Sequence, residues 1–153
     1  MALDGEGWSW VKVAEGRVGR LLVFRLERGS DLLNSIRSAA EGAGVRAGLF
    51  MCIGGLSRAR LGFYIGSGRY KALDIEGPLE LVACVGNLAC GPSGELIVHA
   101  HACVADEEGR AYGGHVLEGC SISPTGELIV MELSGAELRR EVDEETGLKL
   151  LRP

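Results

Sequence analysis

All three histidines of the chain fall in one stretch, IVHAHACVADEEGRAYGGH, as His99, His101 and His115. Neutral imidazoles are ligands for borderline divalent metals, with zinc the first candidate. Side chains alternate between the two faces of a strand. His99, His101 and Cys103 therefore project from one side, and Val98, Ala100, Ala102 and Val104 from the other. The H-x-H spacing sets two imidazoles one pleat repeat apart, about 7 Å between α-carbons, so two rings can converge on one ion.

His115 joins them under one turn geometry. The sequence DEEG lacks the Asn-Gly or Asp-Gly of a two-residue turn. A three-residue loop, Glu107-Glu108-Gly109 with Gly109 left-handed, is a common alternative. Asp106 then opposes Arg110, and His115 falls opposite His101. A two-residue turn instead puts His115 opposite Ala100, pointing away, unless Gly113 and Gly114 form a bulge. That glycine pair also leaves room for an ion or a neighbouring chain.

Three protein ligands leave a fourth position for water or substrate, as in catalytic zinc sites, although an open position alone does not establish catalysis. Cys103 shares the parity of His99 and His101, which makes it a fourth-ligand candidate; cysteines more often simply fill cores. H-x-H alone is a weak signal, and structural histidines are the competing reading. The chain has no G-x-S-x-G, no P-loop and no G-x-G-x-x-G. No cysteine is singled out as a nucleophile.

The elements that must position these residues follow from pattern. RLLVFRLERG reads as a strand. SDLLNSIRSAAEGAG reads as a helix, capped by Ser30 or Asp31. Leu32, Leu33, Ile36, Ala39 and Ala40 form its apolar stripe, and Gly42 and Gly44 can end it. The remaining glycine-punctuated segments read mainly as strands. GSG (Gly66, Ser67, Gly68) reads as a three-residue hairpin tip. Ile65 then faces Arg69, Tyr64 faces Tyr70, Arg60 faces Asp74, Arg58 faces Glu76 and Leu61 faces Leu73. Opposite-charge pairing of this kind argues against Arg58 and Arg60 as a nucleic-acid patch.

The expected fold class is α+β: a compact single domain over residues 1–153, dominated by an antiparallel β-sheet with one principal helix packed on it. Residues 1–16 read as an N-terminal extension or edge strand, and residues 135–153 as a C-terminal segment, either a short helix or an edge extension. The 153 residues suffice for a core without disulfides or a structural metal. A net charge of −5 gives non-specific DNA binding no support. Five cysteines, an odd number with no C-x-x-C, read as free thiols in a reducing cytoplasm. The N-terminal residues lack the pattern of a signal peptide, and no apolar run approaches the ~20 residues that span a bilayer. A cytoplasmic location without membrane contact is the expectation.

The segment HAHACVADEEGRAYGGHVLEGC resembles the H-x-H … GGH pattern of the plants and prokaryotes conserved (PPC) domain in its free-standing prokaryotic form. RGSDLLNSI, CIGGLSRARLGFY, GPLELVACVGNLA and RREVDEETGLKLL extend the resemblance from about Arg25 to Leu151. The resemblance implies a homotrimer and a histidine metal site that carries over onto His99, His101 and His115. Glu80, in GPLELV, stands where plant members have the glutamate of a hexapeptide. It is a candidate for the subunit interface or the metal region, with an ordinary strand-surface carboxylate as the alternative. Asn87 is likewise a pocket candidate. The plant domain accompanies an AT-hook; RVGR at 17–20 is not that motif, so DNA is a partner by family analogy only. The fold also looks similar to acetolactate decarboxylase, a zinc enzyme. Two functions follow: a homotrimeric metal-binding module with a regulatory or DNA-associated role, or a small zinc-dependent enzyme acting on a carbonyl or carboxylate metabolite.

Overall fold

The computed structural model describes residues 2–3 and 9–153. Residues 1 and 4–8, part of the expected 1–16 extension, lie outside the described residues. Strand β1 (Ala2–Leu3) pairs antiparallel with β2 (Ser9–Trp10).

The helix α1 spans Leu32–Gly42. Asp31 is its cap: one carboxylate oxygen accepts from the Asn34 N–H at 3.0 Å, and the other accepts from the Gly119 N–H at 2.8 Å. The cap thus also ties the helix start to a distant loop. Leu32, Leu33, Ile36 and Ala40 are buried, as the stripe requires; Ala39 is half-buried. Ala43 follows the helix in a right-handed conformation, and the left-handed turn falls on Gly44 alone.

The main sheet contains β3 (Arg17–Leu26), β4 (Gly48–Gly66), β5 (Arg69–Cys90), β6 (Leu96–Ala105), β7 (Ala111–Val116), β8 (Ser121–Ser134), β9 (Arg139–Val142) and β10 (Lys149–Arg152). Their order is β10-β9-β5-β6-β7-β4-β8-β3. Strands β4 and β5 also pair with each other, so β4, β5, β6 and β7 close into a barrel. Closure removes sheet edges that would otherwise be open to pairing. Among the described residues all ladders are antiparallel except a single parallel bridge, Cys90 to Arg139. The expected antiparallel sheet with one helix is therefore present, with sheet the larger share. The core lies between helix and sheet, around Leu32, Ile36, Leu56, Leu88, Leu128 and Val130.

Two expectations need correction. Segments read as separate strands are continuous: β4 and β5 run 19 and 22 residues, with register shifts near Gly54 and Ser57, where an interruption was expected, and near Val82, where none was. At the β4–β5 tip, Arg69 pairs with Gly66 rather than Ile65. Ser67 and Gly68 both have positive φ, 51° and 69°, as a two-residue primed turn demands, so Ile65 is left as a bulge. The other four pairings hold. Arg58 reaches Asp74 at 2.8 Å and Glu76 at 3.6 Å, and Arg60 reaches Asp74 at 3.7 Å.

The 135–153 segment forms the edge strands β9 and β10 rather than a helix. All five cysteines are free thiols. Burial pushes the Cys52 and Cys84 thiols up to about 11 and about 12. Among the described residues no helix is long and apolar enough to cross a membrane.

Candidate metal centre

The β6–β7 turn decides where His115 points. Gly109 has φ +76°, its N–H donates to the Asp106 carbonyl at 2.9 Å, and the Asp106 N–H donates to the Arg110 carbonyl at 3.1 Å. The Asp106 carboxylate accepts from the backbone N–H groups of Glu108 and Arg110 and from Arg110 Nε. The loop is therefore Glu107-Glu108-Gly109, held by an aspartate whose side chain satisfies the turn's own donors. His101 then pairs directly with His115.

The three rings form a triangle. Centroid separations are 5.2 Å for His99–His101, 5.2 Å for His99–His115 and 5.3 Å for His101–His115. One ligand nitrogen from each lies within 4.8 Å of the others. Tetrahedral zinc with bonds of about 2.0–2.1 Å wants nitrogens about 3.3 Å apart, so side-chain rotations of about an ångström complete the set. His115 carries a further sign: its Nδ1 is buried and has no hydrogen-bond partner among the described residues. A buried ring nitrogen without a partner is costly, and a cation would relieve it.

Two of the rings, His99 and His115, are held towards the neutral form that a ligand needs. Burial, then the neighbouring His99, His101 and Arg140, push His115 down to about 4. His99 is lowered by burial, then Arg140 and His101. His115 also stacks on Tyr70, with centroids 4.5 Å apart.

Gly113 and Gly114 sit opposite Cys103 and Ala102. A side chain at Gly114 would come within 3.0 Å of the Gly62 carbonyl, so this glycine admits the neighbouring strand β4 rather than an ion. Cys103 is half-buried one pleat beyond His101 and is not within reach of the histidine nitrogens. Asn87 pairs with His99 across β5–β6. Glu80 is not brought to the histidines. It is exposed, pairs with Ala105, and lines a separate cavity of about 690 Å³ with Pro78, Leu81, Thr125 and Glu127.

Sequence reasoning missed Arg140. The residue is 6% exposed and lies on β9. Its Nη1 donates to the Lys149 carbonyl at 2.7 Å, and its Nη2 to Asn87 Oδ1 at 2.8 Å. Nη2 also lies 3.2 Å from His99 Nδ1, while Nε has no partner among the described residues. With Tyr70, His99 and His115 it lines a cavity of about 220 Å³. The adjacent arginines of RREV offered no local cue to which one turns inward.

A family description, the Plants and Prokaryotes Conserved domain, matches residues 13–134. A metal-containing protein from Archaeoglobus fulgidus is 30% identical, with a TM-score of 0.85 over 94% of this chain and 100% of that one. A Pyrococcus horikoshii plant- and prokaryote-conserved protein is 29% identical, with a TM-score of 0.84 over 91% and 95%. A candidate DNA-binding protein from Ralstonia eutropha is 25% identical, with a TM-score of 0.76 over 86% and 90%. A bifunctional protein GlmU of Synechococcus sp. is 33% identical over 92% of this chain, yet the match spans only 23% of that protein. On the match over residues 13–134 and the likeness to the archaeal proteins, the chain belongs to the Plants and Prokaryotes Conserved domain family.

Proposed function

We propose that this is a homotrimeric metal-binding protein whose His99, His101 and His115 hold one divalent transition metal, with zinc the first choice. The observation that carries the reading is the convergence of three imidazoles within 4.8 Å. The A. fulgidus relative, described as metal-containing, supports it.

An exposed apolar face supports self-association. Cross-strand register places Val23, Ile129, Met51, Val85, His101 and His115 in one row. Val23 is 70% exposed and Val85 53%, and Leu21 and Leu49 flank them in the next row. Contiguous exposed apolar surface of this kind marks an interaction site. The row runs into the histidines, so trimerisation would bring a neighbour close to the metal.

A regulatory or DNA-associated role rests on the family alone. The net charge of −5 and the engagement of Arg58 and Arg60 by acids lend DNA binding no support. A second reading, a small zinc-dependent enzyme for a carbonyl or carboxylate metabolite, is favoured by the cavity that Arg140 shares with His99 and His115.

Elemental analysis of protein purified without a metal-affinity tag is the test. One equivalent of zinc per chain is expected. Less than a tenth of an equivalent of any transition metal, even after zinc addition, overturns the reading. Light scattering should give three times the 16.2 kDa chain mass; a monomer at micromolar concentration removes the trimer.

A further inference from the structure

We infer that Arg140 anchors a binding site for a short-chain carboxylate in the cavity beside the histidines. In its full form the site rests on the metal reading above; its arginine half does not.

The first observation is charge without a counter-charge. A guanidinium stays protonated in proteins, and a buried one is normally paired with a carboxylate. Arg140 is 6% exposed, yet among the described residues it forms no ion pair. Its partners are all neutral: the Lys149 carbonyl, the Asn87 amide oxygen and the His99 ring nitrogen. Its Nε is buried with no partner among the described residues. Nearby acids are engaged or turned away. Glu95 holds the Lys149 ammonium at 2.9 Å, and Glu141 is exposed, next along β9 and of opposite parity.

The second observation is the cavity. Its volume is about 220 Å³, and no carboxylate lines it. Apart from Arg140, Lys149 and the two histidines, its wall is Tyr70, Ile97, Val98, Leu148 and Leu150. One inward-facing fixed positive charge in an otherwise largely apolar wall selects a monoanion with a small apolar body. Arg140 makes three contacts with its five N–H donors, so the guanidinium keeps donors for a carboxylate. A polyphosphate would bring more charge than one arginine offsets and more bulk than the cavity holds.

The third observation joins this site to the metal. Three neutral imidazoles leave a divalent ion its full charge, and Arg140 adds one more against His99. An anion bound between them would balance both.

Calorimetric titration with butyrate tests the proposal, on metal-free and zinc-loaded protein. Saturable binding at one per chain is expected, tighter with zinc, and none with butan-1-ol. Arg140→Gln should weaken butyrate at least tenfold while zinc content stays at one per chain. Leu148→Trp, which fills the cavity and keeps the arginine, should weaken it as well; circular dichroism verifies that both variants fold. Absence of saturable binding by wild-type protein in both metal states overturns the site. So does unchanged affinity in both variants. Inorganic phosphate binding as tightly as butyrate overturns the carboxylate class. Arg140-dependent butyrate binding by a protein that takes up no zinc would uphold this site and sink the metal reading.

Discussion

Arg140 Nη2 stands 3.2 Å from Nδ1 of His99, and a guanidinium can only donate. His99 Nδ1 is therefore the acceptor, and the ring proton sits on Nε2. Metal-bound imidazoles instead carry a proton on the nitrogen that does not bind the ion. A metal on Nε2 would move that proton to Nδ1 and break the arginine bond; a metal on Nδ1 would displace the arginine directly. Either way Arg140 and the proposed ion would compete for His99. Arg140→Met should thus tighten zinc binding by roughly tenfold, the equivalent of one hydrogen bond of about 1.4 kcal/mol. Zinc competition with a chromophoric chelator reads the affinity. Nitrogen-15 NMR should show the Nε2–H tautomer of His99 in metal-free protein; weaker zinc binding by the variant would count against the competition.

The proposed ligands should separate in their cost to stability. His101 is exposed and makes no hydrogen bond among the described residues, so His101→Ala should change unfolding free energy by less than ~0.5 kcal/mol. It should nonetheless abolish stoichiometric zinc. His115→Ala also removes a half-buried ring stacked on Tyr70, and should cost about 1 kcal/mol or more in metal-free protein. Elemental analysis beside denaturant unfolding makes both comparisons; full zinc retention in either variant removes that residue as a ligand.

Acid should weaken metal-free protein over a defined window. His115 falls from an ordinary 6.5 to about 4 in the folded chain. Above pH 6.5 the ring is neutral in both states and its contribution is complete. As pH falls from 6.5 towards 4, the unfolded chain takes up a proton that the folded chain refuses, so stability drops. Below about 4 this loss stops growing. At about 1.4 kcal/mol per pH unit the full shift is worth roughly 3 kcal/mol, and solvent screening of a half-exposed ring reduces it to ~1–2 kcal/mol. Urea midpoints at pH 7 and pH 4.5 should differ less in His115→Gln than in wild type. An equal difference would show that carboxylates elsewhere govern the acid limb.

The hairpin that carries the histidines was legible because its determinants are local. Strand parity places His99 beside His101, and the Glu107-Glu108-Gly109 loop, pinned by Asp106, fixes the partner of His101. Arg140 was not legible because nothing local directs it. It reaches His99 across 41 residues of sequence, through a β9 strand joined to β5 by one parallel bridge at Cys90 and Arg139. Neither charge nor periodicity in RREV encodes that docking. Glu80 fails for a related reason: it lies on the same strand as Asn87, but its β6 partner is Ala105, four residues or about 13 Å along from His101.

Gly86 should prove more important to the centre than either glycine of the GGH motif. A Cβ at Gly86 would sit 2.0 Å from the His99 carbonyl oxygen and 2.5 Å from Cζ of Phe50. The first is ladder backbone, and Phe50 is only 2% exposed, so neither can step aside cheaply. Gly86→Ala would push β6 away from β5 at the pair Gly86–Ala100, next to Asn87–His99. Overpacking of this severity should cost about 3 kcal/mol and pull His99 out of the triangle, weakening zinc binding in the molecules that still fold. At Gly113 the nearest atom to an added Cβ is the Ala102 carbonyl oxygen at 3.5 Å, an ordinary contact. Gly113→Ala should therefore keep both stability and zinc affinity close to wild type. Denaturant unfolding and zinc titration of the two variants side by side test the contrast, and equal losses would show that the β5–β6 spacing does not position His99.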